Sequence, residues 1–220
     1  MPEESSPRGD TIENTYTDPG ATTREALEIS GKSRMLARST VGNETPEDRI
    51  RQRCSIAVGD FSMAELMEFC HDPVRAGLEA LGSGAPVITD IRMVQTGILK
   101  KGHRSEVLCA LDYGHELASK KGITRTSAGL LELSPRIDGA IVVIGNAPSA
   151  LLSLCRMIRE GRTPRLVIGT PVGFVNAAES KEELRTLSVP SISNRGTRGG
   201  TPVAVAAMNE MIVLYMERSR

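Results

Sequence analysis

Tryptophan is absent from this 220-residue chain, and only three phenylalanines and three tyrosines are present. That scarcity argues against aromatic stacking platforms for bases, and it requires an aliphatic core. Neither sign of charge is in excess, because 27 Lys and Arg balance 27 Asp and Glu. The bulk electrostatic case for a nucleic-acid or membrane partner is therefore missing. No apolar run approaches the roughly 18 residues that a membrane helix needs. The opening MPEESSPRGD lacks the apolar stretch of a secretory leader, so a cytoplasmic location is expected. Cys54, Cys70, Cys109 and Cys155 are widely spaced, with no C-x-x-C pair. They read as small buried hydrophobes in a reducing compartment, not as a disulfide or zinc frame.

What is present is a chain long enough to bury a sizeable core. Residues 1–22, rich in Pro, Ser, Glu, Asp, Gly and Thr, have little to bury and read as a mobile arm. Residues 23–220 read as one domain. An amphipathic helix is expected over 23–41. A second starts at TPEDR, where Thr45 can cap, Pro46 suits the first turn and Glu47 and Asp48 favour the positive helix end; it stops at Gly59. Beyond it the pattern alternates. Strands are expected over 86–90, 107–111, 140–146, 165–170 and 189–193. Helices are expected over 72–84, 91–100, 112–121, 126–134, 148–160, 179–187 and 200–217. Continuous apolar strands between helices mean a parallel sheet buried on both faces. The expected fold is α/β: a three-layer, flavodoxin-like arrangement with a five-stranded parallel sheet. Ligands of such sheets bind beyond the carboxyl ends of the strands, where the strand order reverses.

Four segments fall there. Thr89 and Asp90 end the first of these strands; Asp90 reads either as the cap of the next helix or, with Thr89, as a ligand contact. In GNAPSALLSL, Asn146, Pro148 and Ser149 stand at a helix mouth whose N–H groups attract anions. In GTPVGFVNAAESK, Gly169 and Gly173 permit close backbone approach and Phe174 is the only aromatic of the four loops; Glu179, Ser180 and Lys181 follow as either a catalytic pair or a solvated first turn. In SNRGTRGGTPVA, Arg195 and Arg198 among glycines suit carboxylates. No P-loop, no dinucleotide fingerprint and no G-x-S-x-G elbow occurs. His71, His103 and His115 show no metal-ligand spacing, so no metal is expected. From the residues alone, the site is cofactor-free and takes an anionic molecule.

Taken together, GAPVITDIRMVQTGI, GNAPSALLSL, PRLVIGTPVGFVNAAESKEEL and RGTRGGTPVAVAAMNEM resemble the precorrin-8X methylmutase family, in its order and spacing, over about residues 24–216. The resemblance implies a homodimer, no dissociable cofactor and an intramolecular step of corrin-ring synthesis. In that step a methyl group migrates between neighbouring ring carbons, converting precorrin-8 to hydrogenobyrinate, or cobalt-precorrin-8 to cobyrinate. It implies that Thr89, Asp90, Met93, Asn146, Pro148, Ser149, Gly173, Phe174, Ser180, Lys181, Arg198, Gly199 and Gly200 meet this tetrapyrrole. The family's proton-donating histidine, aligned on Gly59 and Asp60, falls on Ile56. An isoleucine donates no proton, and Ser55, Cys54 and Asp60 are the neighbouring candidates to replace it. Two readings follow: a divergent methylmutase, and a non-catalytic corrinoid-binding paralogue or carrier.

Overall fold

The computed structural model describes residues 23–219; the expected arm over 1–22 lies outside them. In chain order the elements are α1 (Arg24–Val41), α2 (Pro46–Val58), α3 (Ser62–Leu66), β1 (Met67–Cys70), α4 (Pro73–Ser83), β2 (Val87–Thr89), α5 (Arg92–Gly97), β3 (Val107–Cys109), α6 (His115–Lys121), α7 (Arg125–Glu132), β4 (Ile141–Ile144), α8 (Pro148–Arg159), β5 (Leu166–Gly169), α9 (Ala177–Arg185), β6 (Ser191–Asn194) and α10 (Thr201–Arg218). Short 3-10 turns at Ala110–Asp112 and Ser134–Arg136 follow β3 and α7.

The strands form one sheet in the order β1-β6-β5-β4-β2-β3. From β2 to β6 every pairing is parallel. These five are the expected strands, and their order is that of the flavodoxin-like fold. The sheet nevertheless has six strands, because β1 adds an antiparallel edge, with Met67 opposite Asn194 and Cys70 opposite Ser191. The sequence hid β1 for a physical reason. It is an edge strand of four residues, only Met67 of which is buried, so no apolar run marks it.

Within each continuous apolar run, side chains still alternate between two cores. Ile141 and Val143 of β4, with Leu166 and Ile168 of β5, face α2, α4, α5 and α10. Val142, Ile144 and Val167 face α7, α8 and α9. Burial on both faces is why these strands read as unbroken apolar strings, and it makes the molecule three-layered.

Local signals set the helix ends. The α2 start is a capping box: Thr45 Oγ1 accepts from the Asp48 N–H at 3.2 Å, and Asp48 Oδ2 accepts from the Thr45 N–H at 3.0 Å. Gly59 ends the helix at φ 66°, in the left-handed region that glycine adopts without strain. Asp72, by contrast, makes no side-chain cap on α4; its carboxylate pairs with Arg75 instead, at 2.5 Å. Two residues of α2 fix it on α10. Arg49 reaches Glu210 at 2.7 Å and Glu217 at 2.6 Å, and the Cys54 thiol lies 3.6 Å from the Val203 carbonyl. The last turn of α2 is therefore held against the first turn of α10. Among the described residues, no helix is long and apolar enough to cross a membrane.

Candidate functional site

The order of the parallel strands reverses between β2 and β4, and their carboxyl ends, Thr89 and Ile144, open onto the same edge as Gly169 and Asn194. All four sequence segments therefore meet at one edge of the sheet. They do not play equal parts there.

Asp90 is fully buried, and its carboxylate accepts from the N–H groups of Gly145 (3.2 Å), Asn146 (2.7 Å), Ala147 (2.8 Å) and Ile91 (3.0 Å). Burial pushes its carboxyl above the ordinary value, while these four donors pull the other way. The first residue of α5 is preceded by Ile91, so Asp90 is not the cap of that helix. It braces the strand-to-helix turn before α8, on the far side of the switch point. Thr89 is likewise buried, its Oγ1 donating to the Leu108 carbonyl at 2.9 Å. Both side chains lie beneath the site, not on its surface.

This changes the expected anion mouth at α8. Its incoming N–H groups are already satisfied by Asp90, and Pro148 has none to give. Asn146 is exposed above this turn, and Ser149 shares a 2.9 Å hydrogen bond with Thr124, the cap of α7. The helix end therefore contributes a polar rim, with its electrostatic demand met by an internal carboxylate.

The two remaining loops are stitched together. The Gly173 N–H donates to the Thr197 carbonyl at 3.1 Å, and the Gly200 N–H to the Thr170 carbonyl at 2.7 Å. Gly199 has φ 147°, and a Cβ there would stand 2.4 Å from the Thr170 oxygen, so only glycine allows this approach. Arg198 projects from the joined loops, half-exposed. It donates to Ser62 Oγ at 2.8 Å and pairs with Asp60, just past the end of α2. Arg195 reaches Glu68 at 3.0 Å. The helix after β2 and the loop after β5 expose apolar side chains at this edge: Phe174 is 95% exposed, Val175 75%, Met93 66% and Val172 44%. Exposed apolar side chains of this size, where they gather, mark a binding or docking surface.

Ser180 and Lys181, the fourth and fifth residues of α9, point inward, both fully buried. Ser180 Oγ donates to the Ala177 carbonyl at 3.1 Å. Lys181 Nζ donates to the Arg198 carbonyl at 2.6 Å and to Asn194 Oδ1 at 3.3 Å. The solvated-turn reading of ESK is thereby corrected: only Glu179 of the three is exposed. Asn194 went unnoticed in the sequence, where it reads as the polar end of a strand.

Ile56 stands half-buried in the last turn of α2, one residue past the buried Ser55 and four before Asp60. The Asp60–Arg198 pair brings that turn to the loop edge. Of the three candidates to replace a histidine there, Asp60 is held below the usual carboxylate range by hydrogen bonds from Ser62 and by Arg198. It is a carboxylate at neutral pH and has no proton to give. Burial pushes the Cys54 thiol far up, and Ser55 Oγ, also buried, has no hydrogen-bond partner among the described residues. His71 follows β1 at the opposite sheet edge, since Cys70 pairs with the first residue of β6. His103 hydrogen-bonds the Leu99 carbonyl at 2.7 Å in the connection between α5 and β3.

Comparison with known proteins agrees with this geometry. Residues 28–214 match the family model described as precorrin-8X methylmutase. The cobalt-precorrin-8 methylmutase of Methanocaldococcus jannaschii is 39% identical over 206 residues, covering 88% of this chain and 96% of that protein. The enzyme of the same name from Priestia megaterium is 41% identical over 201 residues, covering 87% and 89%. The solved structure of precorrin-8X methylmutase from Thermus thermophilus superposes with a TM-score of 0.79 at 35% identity, covering 87% of this chain and 97% of that one. The chain belongs to the precorrin-8X methylmutase family, whose members are isomerases of cobalamin biosynthesis.

Proposed function

We propose that this protein binds precorrin-8 or its cobalt-bearing counterpart at the C-terminal edge of the sheet and catalyses the methyl migration that yields hydrogenobyrinate or cobyrinate. The observation that carries the proposal is the pairing of Arg198, on glycine loops built for close approach, with the exposed apolar rim of Met93, Val172, Phe174 and Val175. A corrin macrocycle has that character, with a broad hydrocarbon face and carboxylates at its edge. Arg198 suits a peripheral carboxylate through its planar fork. Gly173, Gly199 and Gly200 keep the backbone low enough for a large flat ligand, and Asn146, Pro148, Ser149 and Phe174 wall it. Thr89, Asp90, Ser180 and Lys181 act from beneath by fixing these loops. Methyl migration is intramolecular, so the protein's task is to hold the macrocycle in one geometry and exclude water.

The same apolar surface, together with Leu27, Ile29, Met35 and Leu36 exposed on α1, suits a homodimer. Sedimentation at micromolar concentration is expected to give about twice the 23.6 kDa chain mass. A cytoplasmic location fits the four free cysteines.

The direct test is a visible-absorbance titration with hydrogenobyrinate, paired with a thermal melt. A shift of the corrin bands and a raised Tm are expected. Unchanged bands and an unchanged Tm would overturn the proposal, along with the carrier reading.

A further inference from the structure

Lys181 is the largest fully buried side chain of the described residues, and nothing in the proposed chemistry uses it directly. Its surroundings are unusual for an ammonium group. Lysine has three donors and no acceptor; two are taken by neutral oxygens, Arg198 O and Asn194 Oδ1. Lys181 makes no ion pair among the described residues; the charges acting on it are Arg185 and Glu182 on its own helix. Those two pair with each other, and Arg185 also donates to Ser193 Oγ at 3.0 Å. From β6 it faces the neutral Asn194. Of the neighbouring loop cations, Arg195 is paired with Glu68 and Arg198 with Asp60. From α8, Arg159 pairs with Glu183 on the exposed side of α9.

Chemistry also fixes the Asn194 amide. Because lysine only donates, the amide oxygen must face Lys181, and the NH2 must then face the two carbonyls it meets, Arg195 O at 3.1 Å and Arg198 O at 2.6 Å. The Arg198 carbonyl thus receives two donors from below. Its side chain reaches Asp60 and Ser62.

We propose that Lys181 and Asn194 are positioning residues: a buried bracket that grips the Arg198 carbonyl, sets the loop carrying its guanidinium, and places an uncompensated positive charge under the seat of an anionic substrate. A buried cation without a paired anion is unfavourable in low dielectric. An arriving carboxylate relieves that cost, so ligand binding and retention of the Lys181 proton favour each other. Burial, reinforced by Arg185 and offset by Glu182, pushes the Lys181 amine down to about 8. The bracket is therefore charged at neutral pH and neutral in mild alkali. This inference rests on the proposed corrinoid site for its ligand, and its first test needs no ligand.

In the free native protein, the backbone amide resonances of Gly199 and Gly200 are expected to titrate with a midpoint near pH 8 and to lie flat in Lys181→Met. Flat resonances in the native protein between pH 6.5 and pH 9.5 overturn the bracket, whether or not Lys181→Met folds. The second test is hydrogenobyrinate affinity across the same range. Native affinity should fall about tenfold between pH 7 and pH 9, as one linked proton requires. Lys181→Met should bind at the weak, alkaline-limit value at every pH. Tight native binding with no pH dependence overturns the role of the charge. Titrating glycine resonances with no hydrogenobyrinate binding at any pH would leave the bracket standing and remove the corrinoid reading instead.

Discussion

Asp60 and Arg198 join the end of α2 to the loop between β6 and α10, 138 residues apart in sequence. Their ion pair does two things for a site at this edge. It holds the guanidinium, whose other terminal nitrogen donates to Ser62, and it anchors the turn that contains Ile56 beside the loop. The pair is solvent-exposed on both sides, so its contribution to folding is small.

Arg198→Ala is therefore expected to leave the melting temperature near the native value while weakening hydrogenobyrinate binding by about 1.5–3 kcal/mol, the range for a hydrogen bond to a charged group. Asp60→Asn should weaken binding less, because the guanidinium stays present but loses its anchor. Calorimetric titration of both variants checks this. Equal affinity of Arg198→Ala and the native protein would show that the loop is surface structure only.

Asp90 gives the opposite signature. Its carboxylate answers four N–H groups, three of them across the switch point, and truncation to alanine leaves Gly145, Asn146 and Ala147 without this acceptor in a largely buried turn. Each orphaned buried donor costs about 1–3 kcal/mol. Asp90→Ala should thus lose about 3 kcal/mol or more in urea unfolding, with Asp90→Asn between it and the native chain. A ligand-contact role alone would leave unfolding unchanged and lower affinity only.

That contrast also marks what a single sequence can reveal. The parallel strands were legible because both their faces are buried, which writes β4 as the unbroken string IVVI. The position of the site was legible too, since the reversal point places Asp90 and Asn146 at one edge. The roles of individual residues were less so. A buried brace and a ligand contact at a strand end use the same residue types, and only the geometry of the Gly145 to Ala147 turn separates them for Asp90. Lys181 looks solvated in the string ESKEE, because nothing local announces that α9 turns this side chain beneath a loop 17 residues ahead. Strand β1, half-exposed and adjoining α3 with no turn residue between, offered no periodicity at all.

The depressed Lys181 amine makes a prediction about folding stability. Its value falls from 10.5 to about 8 in the folded chain. Between those two values the unfolded chain holds the proton and the folded chain does not. This group therefore disfavours folding below pH 8, and its penalty disappears as the pH rises through that window. The full difference is about 3 kcal/mol, at about 1.4 kcal/mol per pH unit. Buried thiols act oppositely: burial pushes Cys155 up to about 12, so its contribution is lost in alkali. The measurement is consequently the stability of the native protein minus that of Lys181→Met, by urea unfolding from pH 7 to pH 10.5. The difference should shift in favour of the native chain as pH rises, and a constant difference would refute the buried, depressed amine.

Ile56, on which the resemblance places the family's histidine, carries the last prediction. It sits in the last turn of a helix fixed to α10 by Arg49 and Cys54, four residues before the carboxylate that holds Arg198. An isoleucine has no proton to donate. Its neighbours do not compensate, since Asp60 is held ionised and the Cys54 thiol is buried and pushed up. If the migration draws on a proton from this side of the macrocycle, the native chain turns precorrin-8 over slowly, with the proton arriving from solvent. Ile56→His places an imidazole with an ordinary value near 6.5 in the same turn. A positioned general acid contributes about 10²–10⁴-fold in rate, so the variant should show a clear gain in the visible-absorbance assay, with a pH profile that falls as the imidazole loses its proton. The native profile should lack that limb. Fast turnover by the native chain would show that no acid is needed at this position. Tight hydrogenobyrinate binding with no turnover by the native chain would make it a corrinoid carrier, and Ile56 the residue that silenced its chemistry.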